Sequence, residues 1–244
     1  HTIGIASFEG RGFMNPNDVV FNNNLLYVLS RSNASNKNNR VSALTLDSDH
    51  KFEFANWGQD SGQSILPTAI AIDKEDNFIL SDEHLNRISI FDLEGNFIKH
   101  WGEFGNKPGL LNRPSGISVD SENNILIVDH LNSRIQKFDN SGKFISSFGK
   151  YGDDKSEFNY PWGIDTDKDQ NIYVADWRNN RIQMFSSEGD YLSSIEKYED
   201  KKLNKPSSVH INSKGIIFVT NWADDSVVIY DCLLYTSDAA DERS

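Results

Sequence analysis

The stretch Tyr160-Pro161-Trp162-Gly163-Ile164-Asp165, followed by Ile172-Tyr173-Val174-Ala175-Asp176-Trp177-Arg178-Asn179-Asn180-Arg181-Ile182-Gln183-Met184-Phe185, decides the architecture, because its landmarks recur at one fixed interval. Arg40, Arg87, Arg134 and Arg181 stand 47 residues apart, and Asp82, Asp129 and Asp176 keep the same step. Pro16, Pro67, Pro114, Pro161 and Pro206 follow at intervals of 51, 47, 47 and 45. Three registers that coincide identify tandem copies of one supersecondary unit.

Each copy reads as four short strands. A run after the Pro is followed by a polar turn and then by an apolar run such as Ile125-Leu126-Ile127-Val128 or Ile172-Tyr173-Val174. Unbroken apolar character over three or four residues predicts a strand covered on both faces. A third strand opens on the Arg, as in Arg134-Ile135-Gln136-Lys137-Phe138, and a fourth follows the turns Glu94-Gly95, Ser141-Gly142 and Glu188-Gly189. One four-stranded sheet cannot bury both faces, whereas sheets stacked around an axis cover each other. The fold class is therefore all-β, a propeller of four-stranded antiparallel blades with five recognisable repeats.

The unit from Tyr160 to Phe185 resembles a near-consensus NHL repeat. The unit from Asn112 to Gly149 resembles it almost as closely, and so does that from Leu66 to Gly102. The first unit, from Asn15, carries an inserted loop between Arg31 and Asn39, and the last, from Asn204, has Asn221 and Ser226 where the others have Asp and Arg. The resemblance covers residues 2–231 and implies six blades, so that one repeat is missing. It also implies that an N-terminal strand, Ile3 to Phe8, completes the last blade. A five-bladed ring closed by pairing of Ile3 to Phe8 with Val227 to Tyr230 is the geometric alternative.

Two segments are expected: a propeller over residues 1–231 and a non-native tail over residues 232–244. The run that starts Cys232-Leu233-Leu234-Tyr235 breaks the repeat and resembles translated sequencing adapter. The whole chain has 244 residues and a formal charge of −12. The tail contributes Asp238, Asp241 and Glu242 against Arg243, which leaves −10, and it holds the single Cys. The rest of the chain thus offers no thiol for a disulfide, a metal or nucleophilic catalysis. Excess acid disfavours nucleic acid and anionic membranes as partners, because both are held by Lys and Arg. No apolar run approaches the roughly 18 residues of a membrane-spanning helix. A monomer is expected, and no compartment is assigned: the cytoplasm and export with a leader outside this chain both remain open.

Repetition also sorts the candidate functional residues. Asp82, Asp129 and Asp176 with Arg87, Arg134 and Arg181 are used alike in three units, which points to a strand-end ion pair and loop brace. Asp73 to Asn77, Asp120 to Asn124 and Asp167 to Asn171 read as hairpin turns, since they lack the Gly at position six and the acid at position twelve of a calcium loop. Ligand recognition belongs where the copies differ, on the face bearing the longer loops. The residues after the Pro there are Asn17, Thr68, Ser115, Trp162 and Ser207, with Asp18 next to Asn17. The residues after the repeated Asp are His84, His130, Trp177 with Arg178, and Trp222. The three Trp could form a recognition platform. His84 and His130 are conceivable zinc or acid–base groups, although they are offset by one position in the repeat.

No cofactor is expected, with a divalent metal in the channel kept as an option. Lyases and lactonases similar to this family place His, or Glu, Asn and Asp, in the channel, and here Asp18, Asp165 and His210 are the available groups. No nucleophile elbow, HExxH or phosphate loop occurs. The leading expectation is a non-catalytic binding scaffold for a protein or small ligand, acting through the loop face and channel mouth. The alternative is a metal-dependent lyase or lactonase-like hydrolase.

Overall fold

The computed structural model describes Phe13, residues 15–31 and residues 37–231. Blade one comprises β1 (Pro16–Asn22), β2 (Leu25–Ser30), β3 (Arg40–Thr45) and β4 (His50–Phe54). Blade two comprises β5 (Pro67–Ile72), β6 (Phe78–Asp82), β7 (Arg87–Phe91) and β8 (Phe97–Trp101). Blade three comprises β9 (Pro114–Val119), β10 (Ile125–Asp129), β11 (Arg134–Phe138) and β12 (Phe144–Phe148). A connector with the short pair β13 (Lys150–Tyr151) and β14 (Glu157–Phe158) leads to blade four: β15 (Pro161–Thr166), β16 (Ile172–Asp176), β17 (Arg181–Phe185) and β18 (Tyr191–Ile195). A second connector pair, β19 (Lys197–Tyr198) and β20 (Lys201–Lys202), precedes β21 (Pro206–Ile211), β22 (Ile216–Asn221) and β23 (Ser226–Asp231) of blade five.

Every blade is an antiparallel meander in chain order, and the first strands β1, β5, β9, β15 and β21 touch in succession around the axis. The five repeats and the propeller arrangement are as the sequence predicts. The sixth blade, the pairing of Ile3 to Phe8, the tail 232–244 and most of the inserted loop fall outside the described residues.

The core lies between blades. Tyr27, Leu29, Val41 and Phe54 of blade one pack on Ile70, Phe78, Leu80 and Phe91 of blade two, and equivalent clusters fill the next three interfaces. Strands β6, β10 and β16 are buried throughout, which accounts for their unbroken apolar runs. The turn glycines follow from the same stacking. Gly95, Gly142 and Gly189 have φ of 81°, 92° and 90°, and a Cβ on each would come within 2.9 Å of Phe54, Trp101 or Phe148 in the preceding blade. The acidic hairpins are Asx turns: Asp73, Asp120 and Asp167 each accept backbone N–H bonds from residues two and four positions on.

The repeated Asp and Arg brace the loops in blades three and four. Asp176 Oδ1 accepts from the Asn159 N–H (2.8 Å), and Oδ2 accepts from Asn179, Arg181 Nε and Gln183. Arg181 also donates to the Asp154 and Glu157 carbonyls of the connector. Burial still outweighs these donors and pushes the Asp176 carboxyl upward. Asp129 and Arg134 repeat the pattern.

Blade two departs from the expected ion pair. Leu85 and Ser89 replace the Asn and Gln donors, so the Asp82 carboxylate keeps the Ile65 N–H, equivalent to that of Asn159, and turns to the N–H groups of His84 and Leu85. Arg87 then holds the Gln59, Asp60 and Gln63 carbonyls, while its Nε is buried without a partner. In blade five the apparent loss of Asp is an exchange. Asn221 donates to Asp224 at 2.7 Å, where blades three and four have Asn donating to Asp in the opposite order.

Candidate ligand-binding face

The residues after the Pro are drawn largely into the joints between blades. Asn17 Nδ2 donates to the Thr68 carbonyl, Thr68 Oγ1 to the Pro114 carbonyl and Ser115 Oγ to the Trp162 carbonyl. Ser207 pairs with Thr220 inside its own blade. The first three link neighbouring blades, whose first strands belong to separate sheets and do not pair edge to edge. Small polar side chains bridge the gap, and a buried donor left unpaired would cost about 1–3 kcal/mol.

Deeper along the axis, Asp18 accepts from the Ile70 and Val19 N–H groups. Burial is the main cause that pushes its pKa up to about 6 from 3.8, with the Asp165 charge adding to it and the two N–H bonds opposing it. Asp165 accepts from the Ile211 N–H and, at 2.9 Å, from His210 Nδ1, which raises the His210 pKa. No group of three His, Cys, Asp or Glu side chains able to hold a metal ion converges among the described residues.

His84 and His130 take separate positions. His84 is exposed and lines a shallow cavity of about 200 Å³ with Leu66, Glu83, Asn86, Phe104, Asn112 and Arg113. His130 is 7% exposed, and its Nδ1 bonds the Pro161 carbonyl at 2.9 Å. Desolvation lowers its pKa, so it is held neutral at physiological pH. Its ring meets Tyr160 and Trp162 edge to face at 5.2 and 4.8 Å.

From His130 a continuous row of aromatic and cationic groups crosses blades three to five. The Arg178 guanidinium lies over Tyr160 at 4.2 Å and faces Trp177 at 5.8 Å. The Lys205 ammonium caps both indoles, 5.1 Å from Trp177 and 5.5 Å from Trp222, whose centroids are 6.1 Å apart. Trp222 is 60% exposed and Arg178 is also exposed, so the row is open to a partner. Short 3-10 turns, Trp177–Asn179 and Trp222–Asp224, set the two Trp at one register in successive blades.

Five sequence candidates thus meet: His130, Trp162, Trp177, Arg178 and Trp222. Tyr160 and Lys205 complete the row and escaped the sequence reading. They precede the repeated Pro, where the copies hold Asn15, Leu66, Arg113, Tyr160 and Lys205, and that variability was the available signal. A residue before Pro is ordinarily extended, yet Tyr160 and Lys205 have φ of 57° and 55°, as Asn15 and Arg113 have 44° and 53°. Left-handed backbone costs a side-chain-bearing residue roughly 1–2 kcal/mol. The Asn180 side chain offsets part of that at Lys205 by accepting its N–H at 2.9 Å.

The family described as NHL repeat matches residues 111–138 and 158–185. No curated protein sequence matches the chain. A streptogramin B lyase structure is 16% identical, with 87% of this chain and 67% of that chain covered and a TM-score of 0.61. A catalytically inactive virginiamycin B lyase from Staphylococcus aureus, with quinupristin, is 14% identical over 89% and 81%, with a TM-score of 0.62. A nidogen/laminin complex is 16% identical over 90% and 76%, with a TM-score of 0.68. Likeness at these identities is one of fold.

Proposed function

We propose that this NHL-repeat propeller is a non-catalytic binding scaffold whose ligand, a protein segment or a small molecule, docks on the loop face across blades three to five. The observation that carries the reading is the Trp177 and Trp222 pair with Lys205 capping both rings. Exposed Trp supplies large contact area for little conformational entropy and is enriched at binding hot spots. Nothing in the repeat requires these side chains, because the equivalent positions in blades two and three hold Glu83 and His130. Selection of displayed peptides on the immobilised protein tests it. Clones that bind the Trp177→Ala/Trp222→Ala variant as well as the parent would defeat the proposal.

Metal-dependent chemistry in the channel is the second reading, favoured by the electrostatic coupling of Asp18 to Asp165 and the contact of Asp165 with His210. Against it, Asp18 already accepts an N–H bond on each oxygen, and Asp165 spends its oxygens on Thr166, Ile211 and His210. A stoichiometric divalent ion in the purified protein, lost on Asp18→Asn, would decide for this second reading.

A further inference from the structure

We infer that the row on the loop face recognises an acidic peptide segment that also carries aromatic or large apolar side chains, an assignment that rests on the loop-face reading. The first ground is the use of arginine among the described residues. Arg31, Arg40, Arg134 and Arg181 are ion-paired, and Arg87 grips three carbonyls. Only Arg113 and Arg178 lack both an ion pair and a side-chain hydrogen bond among the described residues, and both stand on this face.

The second ground is how the cations are held. Arg178 and Lys205 rest on ring faces, which hold the positive charge without neutralising it. An aromatic face takes up one side of the guanidinium and leaves its donor edge free for a carboxylate, the geometry of a bidentate pair. Arg113 stands beside the row: its charge and that of Glu83 both act on His130, and His130 touches Tyr160. Arg113, Tyr160 and Lys205 occupy the same pre-Pro position on β9, β15 and β21, which are neighbours around the axis.

The third ground is scale. A chain of charge −12 repels a long polyanion, and three cations offer far fewer contacts than the many phosphates that nucleic-acid affinity rests on. Two or three carboxylates within a short segment match the three cations. Flanking apolar or aromatic side chains match Trp177 and Trp222.

The test is calorimetric titration of the full chain with three twelve-residue peptides that share two Phe and carry four Glu, four Gln or four Lys. The Glu peptide is expected to bind about 10-fold more tightly than the Gln peptide, to weaken as salt is raised, and to exceed the Lys peptide. Arg178→Gln and Lys205→Gln should each lower its affinity about 10-fold and leave the melting temperature unchanged, since neither side chain braces a loop. Equal binding of the Glu and Gln peptides, both lost in Trp177→Ala/Trp222→Ala, would overturn the acidic assignment and leave the platform standing. Retention of the Glu peptide by that double variant would overturn both. Tighter binding of a single-stranded oligouridylate, or failure of all three peptides to bind, would overturn the acidic-peptide assignment.

Discussion

Replacing Asp176 by Asn probes the brace that positions the loop face. The carboxylate is wholly buried and accepts four bonds: one from the Asn159 N–H and three from Asn179, Arg181 and Gln183, at 2.8 to 3.1 Å. An amide offers one oxygen and one NH2 in place of two oxygens. If its oxygen meets Asn159, the NH2 confronts three donors; if it turns, the Asn159 N–H is orphaned. Either way Arg181 keeps the Asp154 and Glu157 carbonyls but loses its counter-charge. Removing one partner of a buried ion pair costs about 3–5 kcal/mol. We take the lower end, about 3 kcal/mol, because the guanidinium retains those carbonyls. For a chain of this length that corresponds to a melting temperature lower by roughly 6–12 °C. Blade five supplies the control, since Asn221 and Asp224 already exchange the two residue types. Asp176→Asn/Asn179→Asp should therefore recover about 1 kcal/mol or more relative to additivity. Recovery is partial because the carboxylate introduced at position 179 faces the Gly152 carbonyl that Asn179 now bonds. Urea unfolding followed by circular dichroism, run as a double-mutant cycle, measures both quantities. A cost below about 1 kcal/mol for Asp176→Asn, or strict additivity in the cycle, would refute the reasoning.

Three further outcomes are expected. Asp18 has its pKa raised to about 6, so between pH 4 and 6 the unfolded chain ionises while the folded one keeps its proton, and stability falls as pH rises. Asp18→Asn should flatten that limb of the urea-midpoint profile, and an unchanged slope would count against the assignment. The pair of His210 with Asp165 acts in the next window: its contribution is full below about pH 6.5 and is lost as pH rises through the elevated folded value, so His210→Gln should flatten the profile there. Gly163→Ala should cost about 1–3 kcal/mol by thermal melt, because a Cβ there would lie 2.7 Å from Ser208 Cα and 2.9 Å from the Ser207 carbonyl oxygen of the next blade.

The fold was legible because its signals are local and repeated. A strand buried on both faces needs an apolar run such as Ile125 to Val128, and a hairpin against a neighbouring ring needs Gly142, so each blade writes the same marks into the chain. Part of the candidate face was legible for the opposite reason. Trp177, Arg178 and Trp222 depart from a repeat that holds their neighbours constant. The position after the Pro also varies, yet Asn17, Thr68 and Ser115 use that freedom to join blades. Variation alone does not separate a joint such as buried Thr68 or Ser115 from a ligand contact.

From sequence alone came the all-β class, the five blades and the loop-bracing role of Asp176 and Arg181, all of which depend on residues within one repeat length of each other. Only the tertiary structure decided that Arg178 lies on Tyr160, that Lys205 caps both Trp177 and Trp222, and that Asp82 and Arg87 part company. The first two arise where separate blades meet, with Tyr160 and Lys205 in left-handed backbone that a following Pro ordinarily disfavours. The third arises because two missing donors, at Leu85 and Ser89, free a buried carboxylate to seek backbone N–H groups instead. Contacts of this kind are set by packing between blades and by competition for buried hydrogen bonds, and neither has a period in the chain.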